Sequence, residues 1–114
     1  MNPQQPLTPA LFQVLVALAD GNKHGYAILK EVEDQTAGEV QLSSGTLYGI
    51  VKRLLADGWI VEARHRPAEN DDPRRRYYHL TAEGRAVAVA EAARMEKALQ
   101  RARTKHLIKA PRPT

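Results

Sequence analysis

Ser43-Ser44-Gly45-Thr46-Leu47-Tyr48-Gly49-Ile50-Val51-Lys52-Arg53-Leu54-Leu55-Ala56-Asp57-Gly58 carries the strongest helical signal in the chain. Leu47, Ile50, Val51, Leu54 and Leu55 recur at i, i+3, i+4, i+7 and i+8, so a helix gathers them into one apolar stripe. Ser43 offers a capping hydroxyl ahead of the run, and Asp57-Gly58 closes it. The opening is notable for its small residues. A helix that meets a duplex by its N-terminus brings free backbone amides and the positive end of its dipole to phosphates, and bulky side chains there would hold it away. Ser43, Ser44, Gly45 and Thr46 permit close approach and supply hydroxyls. Tyr48 points away from the apolar stripe and Lys52 lies one turn further on the same face, so both are candidates for phosphate or base-edge contacts. Taken singly, Ser43 reads equally well as a plain cap and Tyr48 as a packing residue.

Upstream of this helix the chain reads as two more. Thr8-Pro9 is a good start, with Leu11, Val14, Leu15 and Leu18 at helical spacing until Asp20-Gly21-Asn22, which gives a first helix over roughly 8–19. A second is expected over 24–36, with Ile28, Leu29 and Val32 inward and Gly38 ending it. Residues 39–42 form a short extended link. Two helices so joined, the second opening on small hydroxylated residues, describe a helix-turn-helix.

Downstream the period changes. Residues 59–64 (Trp-Ile-Val-Glu-Ala-Arg) and 76–80 (Arg-Tyr-Tyr-His-Leu) suit strands, and 66–75 between them holds turn formers and charge but no core residue. A hairpin with a long exposed tip results. Arg74, Arg75 and Arg76 have no core task there, and they make a wing suited to a minor groove or to flanking backbone, although Glu69, Asp71 and Asp72 share the loop. This wing favours the DNA reading of the third helix. From Thr81 an alanine-rich helix runs over 82–108, with Pro111 and Pro113 beyond it.

The expected fold is therefore α+β, mainly α: a winged helix-turn-helix domain at 8–81, a flexible arm at 1–7, a long C-terminal dimerisation helix at 82–108 and a disordered tail at 109–114. A helix of that length cannot bury its apolar face alone, and Ala88, Ala92, Met95, Leu99 and Ala102 fall near an a/d seam, so a homodimer is expected. Two third helices would then stand about 34–36 Å apart and read a pseudopalindromic operator.

Bulk properties agree with one domain, since 114 residues leave no room for a second independent core. The net charge of +4 is unevenly placed: 1–63 holds four Lys/Arg against seven Asp/Glu, 64–93 six against five, and 94–114 seven against one. Absence of cysteine removes disulfides and thiolate chemistry, and no apolar run approaches the ~20 residues of a membrane span, so a soluble cytoplasmic protein is expected. His24, His65, His79 and His106 are scattered without a ligand spacing, and neither a phosphate loop nor a nucleophile motif is present. Neither catalysis, nor a cofactor, nor a metal is expected. The rival reading is a winged helix used only for protein–protein contact, which the acidic balance of 1–63 favours slightly.

The strings His24-Gly25-Tyr26, Ser44-Gly45-Thr46-Leu47-Tyr48, Arg53-Leu54, Gly58-Trp59-Ile60 and Arg76-Tyr77-Tyr78-His79-Leu80-Thr81, then Gly84-Arg85, resemble the PadR-like winged-helix regulators over roughly 8–85. The resemblance implies a repressor of double-stranded DNA, with the third helix in the major groove, the wing on the flanking duplex and the last helix building a homodimer. It also implies that Tyr26, Ser44, Thr46, Tyr48 and the arginines before Tyr77 lie at or near DNA, while Leu47, Leu54 and Ile60 belong to the core. Trp59 departs from the smaller aliphatic usual there and is assigned to packing where wing and last helix meet. Some members of the family hold flat aromatic or phenolic effectors with aromatic side chains of the last helix. This chain has no Phe, Trp or Tyr after Tyr78, so a small-molecule effector, if one acts, is of unknown type.

Overall fold

The computed structural model describes residues 6–64 and 74–109. Its elements run α1 (Pro9–Ala17), β1 (Lys23–His24), α2 (Gly25–Gln35), α3 (Ser44–Ala56), β2 (Ile60–Ala63), β3 (Tyr77–Leu80) and α4 (Ala82–Thr104). The three strands form one antiparallel sheet in the order β1-β3-β2, with His24 opposite Tyr77 and Ile60 opposite Leu80. Four helices and a small sheet make the winged-helix architecture that the hydrophobic pattern calls for.

Every helix starts on a side-chain cap. Thr8, His24, Ser43 and Thr81 accept from the amides of Leu11, Ala27, Thr46 and Gly84, which satisfies donors that helix geometry leaves without an internal partner. Three helices end in the same way. The C′ residues Ala37, Gly58 and His106 take left-handed backbone at φ 52°, 75° and 62°. The following amides of Gly38, Trp59 and Leu107 reach back to the carbonyls of Glu33, Leu54 and Ala102 at 2.9, 3.0 and 2.8 Å. Glycine takes this conformation without strain, whereas alanine and histidine do not.

The core lies where α1, α2 and α3 meet the sheet. Leu11, Val14, Leu15 and Leu18 of the α1 segment, Ile28 and Val32 of α2, Leu47, Val51 and Leu54 of α3, and Trp59, Ile60, Tyr78 and Leu80 of the hairpin are all buried. The junction to α4 is close-packed. The Thr81 hydroxyl donates to the Gly58 carbonyl at 2.8 Å, and the Thr81 amide donates to the Trp59 carbonyl at 3.1 Å. Gly84 rests against that same peptide: a Cβ placed on it would lie 2.0 Å from the Trp59 oxygen.

The structure corrects several of the expected boundaries. Leu7, expected within the arm at 1–7, is buried at 6% exposure, an apolar residue just before the cap being positioned to close over the first turn. His24, expected as the first residue of the second helix, ends a strand and caps that helix. The strands are shorter than 59–64 and 76–80, since Trp59 is spent on the end of α3. The last helix stops at Thr104 rather than 108, where His106 turns left-handed. Leu55 belongs to the apolar stripe by spacing but is 38% exposed, and Leu29 is only half-buried. The wing-tip acids Glu69, Asp71 and Asp72, residues 1–5 of the arm, His65 and residues 110–114 of the tail lie outside the described residues.

Candidate nucleic-acid interface

The candidate interface is built around the exposed face of α3. Ser43 is occupied as expected of a cap: its Oγ accepts the Thr46 amide at 3.1 Å and donates to the Thr46 Oγ1 at 2.9 Å. This pairing holds the two hydroxyls together at the surface, where Ser44 and Gly45 are also exposed. A Cβ built on Gly45 or Gly49 meets nothing within 4 Å, so the first turns of α3 present bare backbone outward. Tyr48 stands out at 69% exposure, with Lys52 exposed one turn on.

Two other elements frame this face. Tyr26, in the first turn of α2, is 61% exposed and stacks on His24 with ring centroids 6.5 Å apart. Arg74, Arg75 and Arg76 approach from the wing, all exposed. Arg76 pairs across the hairpin with Glu62 at 3.7 Å, a solvent-exposed contact that contributes little to stability and leaves the guanidinium accessible. Arg75 reaches the His24 ring at 3.3 Å.

Together these parts enclose a cleft of about 710 Å³. Of the residues singled out from sequence, Tyr26, Ser44, Tyr48, Lys52, Arg74, Arg75 and Arg76 all line it. Ser43, Gly45 and Thr46 do not, and they sit at the helix start beside it. The floor is apolar, made by Leu29, Leu47, Val51, Leu55 and Tyr78. Burial, with the Glu62 carboxylate adding to it, pushes the Tyr78 phenol above its usual range, so that hydroxyl stays neutral. Among the described residues none that lines the cleft is acidic, which gives it a positive field.

Sequence reasoning missed His24, Leu29 and Leu55 as parts of this surface. His24 had one usable signal, a side-chain acceptor directly before the helix-opening Gly25. Leu29 and Leu55 had none, because apolar residues at helical spacing read as core whether the last shell is covered or not.

The seam expected on α4 divides. Ala88 packs on the chain's own core, Ala92 is exposed, Met95 and Leu99 are 39% and 46% exposed, and Ala102 is half-buried. Among the described residues no cluster of His, Asp or Glu is arranged to hold a metal, and no helix is long and apolar enough to cross a membrane.

Residues 14–90 match the model of the transcriptional regulator PadR-like family, which is most of the chain and takes in its helix-turn-helix and hairpin. The chain belongs to the PadR-like family. Solved PadR-like and related regulators share the fold. A PadR family transcription regulator from Clostridium difficile superposes with a TM-score of 0.70 at 22% identity, over 89% of this chain and 100% of that one. A transcriptional regulator from Clostridium thermocellum gives 0.66 at 25% identity, over 80% and 84%. In sequence, an uncharacterized 37.1 kDa protein in transposon TN4556 of Streptomyces fradiae is 42% identical over 84 residues, 74% of this chain. The chain spans 22% of that protein's length, and 65% of the length of a second uncharacterized relative from Lysinibacillus sphaericus, to which it is 29% identical.

Proposed function

We propose that this PadR-like chain binds double-stranded DNA as a homodimer and represses transcription at a pseudopalindromic operator. The observation that carries the reading is the cleft, where seven polar, aromatic and basic residues from α2, α3 and the wing meet on one surface without an acidic side chain among the described residues. α3 enters the major groove by its hydroxylated start, Tyr48 and Lys52 reach phosphates or base edges, and the arginines take flanking backbone or minor groove. The exposed Met95 and Leu99 on α4 support a second copy as partner. A role on DNA implies a cytoplasmic protein.

The test is selection of bound fragments from random duplexes, followed by a salt titration on the winners. Affinity is expected to fall linearly with log[salt], and R74Q/R75Q, which removes four arginines from the dimer, to flatten the slope by about 3.6, since each neutralised phosphate contributes about 0.9. Binding that ignores salt, or none at all, would favour a protein–protein module instead. An unchanged slope in the double variant would return the wing to solvent.

A further inference from the structure

The floor of the cleft is chemically unlike its rim. Leu29, Leu47, Val51, Leu55 and Tyr78 make the floor, whereas Tyr26, Tyr48, Lys52 and the wing arginines supply the polar and charged groups. Leu29 is half-buried and Leu55 is 38% exposed, so part of this apolar surface is left to water. A duplex has little to cover it with. Its phosphates are drawn to the basic groups, but seating one on leucine and valine strips its water and returns no hydrogen bond. A base edge brings at most a thymine methyl. The volume of about 710 Å³ lies instead in the range of sites that hold a small organic molecule.

We infer that the cleft binds an amphipathic carboxylate of the medium-chain fatty acid class, its aliphatic chain over Leu29 and Leu55 and its anionic head toward Lys52 and Arg76. The floor is aliphatic except for Tyr78, which suits a flexible saturated chain better than a flat ring. Charge selects the head. Lys52, Arg74, Arg75 and Arg76 line the cleft, all are exposed, and among the described residues no acid lines it. Glu62, which pairs with Arg76 at 3.7 Å, lies outside the lining and offsets one of these four positive charges. The attraction is that of net charge, so no side chain has to give up a bond that it makes within the chain. Tyr48 and Lys52 also belong to the surface proposed to meet DNA, so carboxylate and duplex exclude one another. That exclusion rests on the DNA reading, whereas carboxylate binding does not.

The test is calorimetry of the full chain with decanoate, decanol and acetate, with decanoate kept below its micelle concentration. Expected are saturable binding of decanoate, about tenfold weaker binding of decanol and none of acetate. L55Q puts an amide on the floor and should weaken decanoate and decanol alike by about tenfold. K52Q, at an exposed position, should leave decanol unchanged and cut the preference for decanoate to about threefold, which keeps the test open where L55Q folds poorly. Decanoate should also displace a duplex selected by the wild type. Equal binding of decanoate and decanol, binding that L99A lowers and L55Q does not, or duplex and decanoate held together without competition each overturn the site. A chain that binds duplex but no decanoate overturns it too and leaves the DNA reading intact. Decanoate bound as expected by a chain that binds no duplex supports the site and overturns the DNA reading.

Discussion

The helix-turn-helix with its hairpin and the outer part of α4 are stabilised in different ways. In the first, α1, α2, α3, β2 and β3 each turn at least one buried side chain into a common core, and Val14, Leu15, Ile28, Leu54 and Ile60 are inaccessible to solvent. In the second, α4 buries Gly84, Val87 and Glu91 against the domain and no residue beyond them. Glu91 is held there by Arg94, whose Nε and guanidinium NH2 both lie 2.9 Å from its carboxylate. Beyond the Arg94 contact, residues 95–101 are all exposed and rely mainly on backbone hydrogen bonds and helix propensity, and an isolated helix of the length of 92–104 is marginal in water. The difference teaches that the surface proposed to read DNA is fixed by its own chain, whereas the outer helix is where the proposed second copy would add support.

The largest blow to this division comes at the joint between its halves. Gly84→Ala puts a methyl 2.0 Å from a backbone oxygen that is itself bonded to Thr81, so neither side yields easily. A loss of about 3 kcal/mol or more is expected in urea unfolding. A loss under about 1 kcal/mol would mean that α4 is not docked as described. Equal truncations sharpen the comparison further. Leu54→Ala, in the core, should cost about 3 kcal/mol, whereas Leu99→Ala, at 46% exposure, should cost each chain under about 0.5 kcal/mol. The latter should instead raise the dimer dissociation constant about tenfold, read by sedimentation. Similar unfolding losses from both would erase the contrast. The smallest effect is a gain. Ala37→Gly relieves the left-handed residue after α2 and should raise the domain's stability by about 0.5 kcal/mol without moving dimer dissociation.

Much of the domain is legible in the sequence because its signals are local and redundant. The stripe from Leu47 to Leu54 has the right period, a hydroxyl before it and a glycine after it, and all three point to α3. The candidate site is legible for a related reason: Tyr48, Lys52 and the arginines have no place in the core at their positions, so only the surface remains for them. What escapes a reading of the sequence depends on tertiary context. β1 is two polar residues long and exists only because β3 has an edge to offer. The end of α4 carries no glycine, and its left-handed His106 runs against residue preference. Leu7 reads as part of a proline-flanked arm, and only the closed core gives it a place.

The contacts of Thr81 with Gly58 and Trp59 make the end of α3 and the start of α4 a single rigid corner. Mechanically, α4 is a lever whose short arm is the reading helix. With 23 residues it is about 34 Å long, so a turn of about 10° of α3, the corner and α4 as one body displaces its far end by about 6 Å. In the proposed dimer that lever works in reverse. A slight change in how two α4 helices cross alters the span between the two α3 helices by more than the ~3.4 Å rise of a base pair. In that proposed complex, spacing between half-sites would be tunable from the far end of the chain without touching a residue assigned to DNA.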